Sequence, residues 1–189
     1  MNLNSYEDEI FTRRLRLRKV EEELLPLIIE WSNSEEAYGE YLTPERLTAD
    51  EGVCNLKTGL FWNERSKTYL IELLDGTPIG TIRYWLRPEN RKTAIMALKI
   101  AIPAFRNQGY GTEAQKYLIM YLFERLGLEA VEMYTDIHNG AQLRCLQKLG
   151  FTLVESLRYE DQLVQRTGHH YRLGLEEYRR LPLYQYYYE

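Results

Sequence analysis

The segment Arg106–Thr112 (Arg-Asn-Gln-Gly-Tyr-Gly-Thr) carries residue types that suit the binding of an anion. It follows the apolar run Ala94–Ile102, which predicts a buried strand, and it precedes Glu113–Leu126, whose apolar residues recur at helical spacing. A glycine-bearing turn between a strand and a helix aims backbone N–H groups and a helix N-terminus at one point. Gly109 and Gly111 allow the main chain to approach phosphate oxygens closely.

Two better-known phosphate motifs do not fit this segment. It lacks the Lys and Ser/Thr ending of a P-loop, and its glycines are too few and wrongly spaced for a dinucleotide fingerprint. Arg106 adds a planar and permanently charged group that can bind phosphate. Taken alone, the segment is also compatible with an ordinary strand-to-helix turn.

A second informative segment follows the predicted strand Ala130–Ile137, in which apolar and polar residues alternate. Asn139 is a candidate helix N-cap, and Gln142 stands at the spacing of a capping box. Gly150 supplies a stop, after which Phe151 opens another strand. A short, well-capped helix that needs no ligand accounts for this pattern as well.

Together the two segments resemble the GNAT superfamily of N-acetyltransferases. Arg106–Gly111 fits the pattern Arg/Gln-x-x-Gly-x-Gly/Ala, which is that family's pyrophosphate-binding motif. The helix that begins at Asn139 and ends in Lys148–Phe151 is similar to the RimJ/RimL-like branch. The resemblance covers the chain from about Arg13 to Arg180.

The resemblance implies transfer of an acetyl group from acetyl-CoA to a primary amine, by direct attack in a ternary complex. The amine would belong to a protein N-terminus, a polyamine or another small cationic molecule. Main-chain groups of Ile100, Ala101 and Ile102 would meet the pantetheine arm and thioester, with the Ile102 N–H as oxyanion donor. Asn139 would reach the pantetheine, and the pyrophosphate would be held by Arg106, Asn107, Gln108, Gly109, Tyr110, Gly111 and Thr112.

The catalytic acid and base match the family less well. Many GNAT enzymes place a Tyr proton donor where this chain has Leu146, and the RimJ/RimL-like branch commonly has Ser where this chain has Gln142. An amide donates a hydrogen bond but is a poor proton source. For the base, Glu155 matches a family position, and His138 has a suitable intrinsic pKa. Loss of the proton to solvent, without a dedicated base, is the alternative.

The resemblance assigns the acceptor to the helical N-terminal region, where Trp31, Tyr38 and Tyr41 are the candidate binding residues. The carboxylates nearby suit a cationic amine, although exposed helix ends commonly carry such residues. The tyrosine-rich tail that begins at Leu183 is expected to pack on the body of the protein or on a second subunit.

Composition excludes several other classes of protein. A 44% hydrophobic content and 28% charged residues predict a soluble globular fold, and 189 residues suit a single domain, 1–189, with its core at about 13–180. A net charge of −4 argues against nucleic-acid binding, and no apolar run is long enough to span a membrane. Two cysteines without metal-site spacing indicate no metal and a reducing, cytoplasmic setting. The N-terminus lacks the features of a signal peptide, and we expect a monomer or homodimer.

Three alternatives for function follow. The first is an acetyl-CoA-dependent N-acetyltransferase, the second a non-catalytic acyl-CoA-binding sensor or scaffold, and the third, which the acidic charge disfavours, a binder of phosphate-bearing ligands or nucleic acid.

The predicted element order is strand, two helices, three antiparallel strands, helix, strand, helix and two strands. This order indicates an α/β (α+β) fold with a mixed, mostly antiparallel sheet and helices on both faces. The family resemblance adds a splay between the strands Ile95–Ile102 and Val131–Ile137. The strands flanking Asp75-Gly76 should form a hairpin, Thr48–Arg65 a helix, and Glu160–Gly168 a polar loop.

Overall fold

The computed structural model describes residues 9–185; the acidic N-terminal residues and the last tyrosines of the tail lie outside them. The strands are β1 (Glu9–Phe11), β2 (Leu15–Lys19), β3 (Ser66–Leu73), β4 (Pro78–Leu86), β5 (Thr93–Ile100), β6 (Ala130–Asp136), β7 (Thr152–Asp161) and β8 (Val164–Gly174). The α-helices are α1 (Leu25–Ser32), α2 (Glu35–Tyr38), α3 (Ala49–Lys57), α4 (Tyr110–Glu124), α5 (Gly140–Lys148) and α6 (Leu175–Arg180).

The described strands form one eight-stranded sheet in the order β1-β2-β3-β4-β5-β6-β8-β7. Every neighbouring pair is antiparallel except β5 and β6, which run parallel. Asp75 and Gly76 lie in the tight connection 74–77 between β3 and β4, and Gly76 has a φ of 89°. The predicted α/β fold with a mixed, mostly antiparallel sheet is therefore confirmed.

Helices cover both faces of the sheet because successive strand residues point to opposite sides. On one face, Leu118 and Leu122 of α4 and Leu146 of α5 are fully buried in the larger core, together with apolar side chains of β2 to β6. On the other face, Ile28 and Trp31 of α1 pack with residues that include Leu70 of β3.

The end of the sheet differs from the prediction for Glu160–Gly168. Instead of a loop, β7 and β8 form a hairpin that is paired up to Asp161 and Val164, with Gln162 and Leu163 as its two-residue turn. Both turn residues have positive φ angles, 48° and 66°. Tight hairpin turns of this kind usually use Asn or Gly, so the sequence carries no recognisable turn signal here.

The predicted helix Thr48–Arg65 is also shorter in the structure. Thr48 forms the predicted capping box with Glu51, but the helix ends at Lys57, and Gly59 follows with a φ of 74°. Strand β1 and the short helices α2 and α6 were not predicted. From the tail, Tyr184 is buried and its hydroxyl donates to the Leu149 carbonyl at 2.8 Å.

Candidate active site

The turn from β5 into α4 presents unsatisfied backbone N–H groups. Asn107 and Gly109 have left-handed φ angles of 58° and 83°, and Gly109 is the residue that caps the helix. The first helical hydrogen bond runs from the Glu113 N–H to the Gly109 carbonyl, at 3.0 Å. The N–H groups that precede it have no acceptor within the helix; they belong to Tyr110, Gly111 and Thr112. This turn can therefore bind an anion.

The Arg106 side chain does not extend into this turn as predicted. Its Nε donates to the Ile100 carbonyl at 2.9 Å, and its Nη2 donates to carbonyls of Glu36 and Ala37 in α2. Partly buried carbonyls require donors, and the guanidinium supplies several at once. Arg106 thus connects the end of β5 to α2, and its charge is directed at backbone oxygens instead of at the turn.

Arg14, which was not predicted as a site residue, lies against the turn instead. Its Nη1 donates to the Gln108 carbonyl at 3.1 Å, its Nε bonds Glu113 at 2.6 Å, and its guanidinium lies 4.3 Å from the Tyr110 ring centroid. Burial raises the pKa of Glu113, but hydrogen bonds from Thr12 and Arg14 outweigh this effect and lower it. Glu113 therefore stays ionised and holds Arg14 in place.

The sheet opens between β5 and β6, beside the turn. The two strands pair only from Thr93–Ala130 to Ile95–Glu132, although β5 continues to Ile100 and β6 to Asp136. A cavity of about 450 Å³, which we call the splay cavity, lies at this opening. It is lined by the turn, by the ends of β5 and α5, and by the segment at α2; its lining includes Tyr38, Tyr41, Leu98, Lys99, Ile100, Asn107, Gly109, Gly111, Thr112, Gln115, Asn139, Gln142 and Cys145.

Polar side chains at the start of α5 form a chain beside the splay cavity. Asn139 caps the helix by accepting from the Gln142 N–H at 3.2 Å. The Gln142 amide does not complete a capping box; it donates to Gln115 Oε1 at 2.8 Å. Gln115 in turn donates to Cys145 Sγ at 3.0 Å, and Thr112 Oγ1 lies 3.2 Å from the same sulfur. Burial raises the pKa of the Cys145 thiol.

The predicted oxyanion donor points into the sheet. The N–H groups of Ala101 and Ile102 both donate to the Ile79 carbonyl of the neighbouring chain segment, at 2.8 and 3.3 Å. Of the three residues predicted to meet the thioester, Ile100 lines the splay cavity. The Ile102 N–H is already engaged, and the geometry gives it no support as the oxyanion donor.

The two predicted bases lie away from the splay cavity. Glu155 is on the edge strand β7 with 60% of its side chain exposed, and its carboxylate lies 3.6 Å from His170 Nδ1. His138 is exposed, and its backbone N–H donates to Asp136 Oδ1 at 2.9 Å. Neither residue lines the cavity, whereas Gln142 does.

The predicted acceptor residues are divided between two cavities. Tyr38 and Tyr41 line the splay cavity, whereas Trp31 lines a second cavity of about 320 Å³ under α1 and α3, which we call the side cavity. Tyr38 also lines the side cavity, and so does Lys99. Lys99 was not predicted, although a lone lysine within the apolar run of β5 was a visible signal.

Within residues 9–185, no group of three or more His, Cys, Asp or Glu side chains is arranged to hold a metal ion. None of the helices in the same range has the length and apolar character needed to cross a membrane.

The fold and the site define a class of protein. A sheet that splays between parallel strands, with a glycine-bearing helix N-terminus at the opening, is the arrangement implied by the resemblance to N-acetyltransferases. A family model described as an acetyltransferase (GNAT) domain matches residues 14–152. The chain therefore belongs to the GNAT family of acetyltransferases, and the predicted family, enzyme class and use of acetyl-CoA as co-substrate are confirmed.

Solved structures with this fold include enzymes that act on different acceptors. RimL, a ribosomal alpha-N-protein acetyltransferase in complex with coenzyme A, has a TM-score of 0.76 at 17% identity, covering 89% of this chain and 99% of that one. A spermidine N-acetyltransferase SpeG chimera from Vibrio cholerae and hSSAT has a TM-score of 0.74 at 15% identity, covering 88% and 99%. AAC(6')-Ib in complex with ribostamycin and coenzyme A has a TM-score of 0.73 at 18% identity, covering 89% and 97%. None of the curated proteins compared with the chain matches it.

Proposed function

We propose that this chain transfers an acetyl group from acetyl-CoA to a primary amine, by direct attack in a ternary complex. One observation carries the proposal: the splay cavity runs without interruption from the turn before α4 to the opening between β5 and β6. One end of this cavity suits a pyrophosphate. The other end lies beside a strand edge without a neighbour, which suits the amide groups of a pantetheine arm.

Residue roles follow from this placement. The N–H groups of Gly109 to Thr112 would hold the pyrophosphate, with Arg14 as the adjacent cation. The backbone near Ile100 and the Asn139 amide would bind the pantetheine arm, because Asn139 lines the cavity and its Oδ1 is already used by the helix cap. The acceptor would enter beside Tyr38 and Tyr41, close to the place where the thioester would lie.

The acceptor is a primary amine, and three kinds fit the proposal: a protein N-terminus, a polyamine and another small cationic amine. RimL, the SpeG chimera and AAC(6')-Ib, which share the fold, act on acceptors of these kinds or bind one of them. We also assign the chain to the RimJ/RimL-like branch, on the support of the Asn139 cap and the helix it begins.

A second candidate is a GNAT module that binds acyl-CoA without turnover. Two observations favour it. Leu146, at the position where many family members carry a Tyr proton donor, is fully buried in the core. The Gln142 amide nitrogen, which stands in the place of a Ser, is bonded to Gln115.

Release of the CoA thiol in the presence of different amines separates the two candidates. The panel should include a peptide with a free N-terminus, the same peptide with a blocked N-terminus, a polyamine and an aminoglycoside. We expect thiol release that depends on one class of amine, together with a matching mass increase of the acceptor. Tight binding of CoA by calorimetry without release for any amine would contradict transfer and favour the binding module.

The remaining assignments stay predictions. A single domain over 1–189 is supported by the continuous sheet of the described residues and by the span of the family match. The cytoplasmic location and the monomeric or homodimeric state have their support in the sequence alone.

A further inference from the structure

Lys99 occupies the wall between the two cavities. It lies on β5 opposite Thr81 of β4, in the part of β5 that has left β6, and it is half-buried. Its Nζ is 3.7 Å from the centroid of the Tyr38 ring. Both side chains line the splay cavity and the side cavity. An amine that enters from either cavity toward the thioester therefore meets the Lys99–Tyr38 pair.

Charged side chains from several elements line the two cavities that Lys99 also lines. Arg83 of β4 and Glu45, in the segment before α3, line the side cavity with it and lie 4.0 Å apart. Glu40 and Arg106 line the splay cavity. Burial is the largest effect on the ionisation of Lys99, and the charges of Glu45 and Arg83 act on it in opposite directions.

Burial lowers the pKa of Lys99 to about 8, with Glu45 acting against this shift and Arg83 adding to it. An exposed lysine, whose pKa is about 10.4, is almost fully protonated at neutral pH and cannot take up a proton. Lys99 is different, since a usable fraction of it is neutral. The face of Tyr38 then stabilises the ammonium that forms when it accepts a proton.

We propose that Lys99 is the general base of the reaction, which takes a proton from the acceptor ammonium at the boundary between the two cavities. The inference rests on the proposed acetyl transfer. An N–H bond of the acceptor ammonium breaks as a bond forms from that proton to Lys99 Nζ. The freed electron pair then forms the C–N bond at the acetyl carbonyl, and the C–S bond breaks. The CoA sulfur leaves with the second proton of the amine nitrogen, and the Lys99 ammonium later returns its proton to water.

This base matches some acceptors better than others. The α-amine of a peptide has a pKa of about 7.7–8.0, so proton transfer from it to Lys99 is nearly balanced. An alkyl amine with a pKa near 10.4 loses its proton to such a base roughly 250- to 500-fold less favourably than a peptide α-amine. A peptide N-terminus is therefore the acceptor class that fits this site best.

Two variants of Lys99 test the assignment. Lys99→Met keeps the length and removes the amine, whereas Lys99→Arg keeps a cation on Tyr38 that cannot act as a base. With a peptide α-amine as acceptor, both variants should lower kcat/KM by about a hundredfold or more. CoA binding, measured by calorimetry, should persist within a few-fold of the wild-type affinity, which shows that the variants are folded. The matched control is Lys92→Met, an exposed lysine just before the same strand, which should behave as wild type.

A hydrazide of similar size, which is already neutral at pH 7, separates proton removal from cavity shape. Because it needs no base, the deficit of Lys99→Met should shrink to a few-fold with this acceptor. An equal deficit with amine and hydrazide, or an Lys99→Arg variant within about threefold of wild type, would overturn the assignment. If wild type binds CoA but acetylates no amine, the proposed function fails first and this inference with it.

Discussion

The backbone of the turn before α4 offers the sharpest test of CoA binding. Gly109 has a φ of 83°, and a Cβ at this position would lie 3.3 Å from Arg14 Nη2. An L-residue in the left-handed region costs about 1–2 kcal/mol. The free turn can escape this strain by rotating, but its N–H groups then no longer converge. Binding must restore their arrangement, so Gly109→Ala should raise the Kd for CoA by about 5- to 30-fold.

Gly76→Ala is the matched control for this substitution. Gly76 has a φ of 89°, and nothing lies within 4 Å of a Cβ placed there. It carries comparable strain in the β3–β4 hairpin, so it should lower the free energy of unfolding without changing the Kd. Calorimetric titration with CoA and urea denaturation of both variants give the two quantities. A Gly109→Ala variant that loses stability as Gly76→Ala does, yet binds CoA as wild type, would refute the placement of pyrophosphate at this turn.

Three further outcomes are expected from other substitutions. Asn139→Asp should keep the melting temperature, because Asp caps helices equally well. It should weaken CoA binding about three- to tenfold, because the amide donor is lost. Equal CoA affinity by calorimetry would mean that Asn139 acts only as the helix cap. Arg106→Ala should lower the free energy of unfolding by about 1–3 kcal/mol in urea titrations, because several carbonyls lose their donor. If the substitution weakened CoA binding without lowering stability, the structural role of Arg106 would be contradicted. The pKa of Lys99 is about 8 in the folded protein and 10.5 ordinarily, so the unfolded state binds more protons between these values. The free energy of unfolding of wild type, relative to that of Lys99→Met, should therefore rise between about pH 8 and 10.5. Denaturant titrations across that range measure this difference. A difference that does not change with pH would mean that the pKa of Lys99 is not lowered.

The sequence predicted the turn between β5 and α4, to which we assign anion binding, but not the direction of its side chains. Strand, glycine turn and helix are local features, and Gly109 stands where a left-handed residue is needed. Arg106 bonds carbonyls of α2, which is far away in the chain, and that contact depends on the tertiary fold. The same is true of Arg14, because its partners Gln108 and Glu113 are far from it along the chain and meet it only in the folded protein.

Other residues escaped prediction for a related reason. The turn at Gln162 and Leu163 uses positive φ angles without glycine, so the β7–β8 pairing imposes a conformation that the residue types do not favour. Lys99 was visible as a lone lysine in an apolar strand, but its proximity to Tyr38 arises only when α2 packs on the sheet. Glu155 was chosen from a family position, and the edge strand places it elsewhere.

The bonds of Arg106 have a thermodynamic consequence for the order of events on the protein. Arg106 bonds the carbonyls of Ile100 and Ala37, so the end of β5, where we propose that the thioester lies, and the helix carrying Tyr38 are linked as one unit. Arg166 of β8 donates to Thr43 Oγ1 at 3.0 Å, and this bond attaches the chain segment that follows α2 to the sheet. The first ligand to bind loses conformational entropy when it orders this unit, so the second ligand binds without that loss. Coenzyme and acceptor should therefore strengthen each other's binding by one and the same factor.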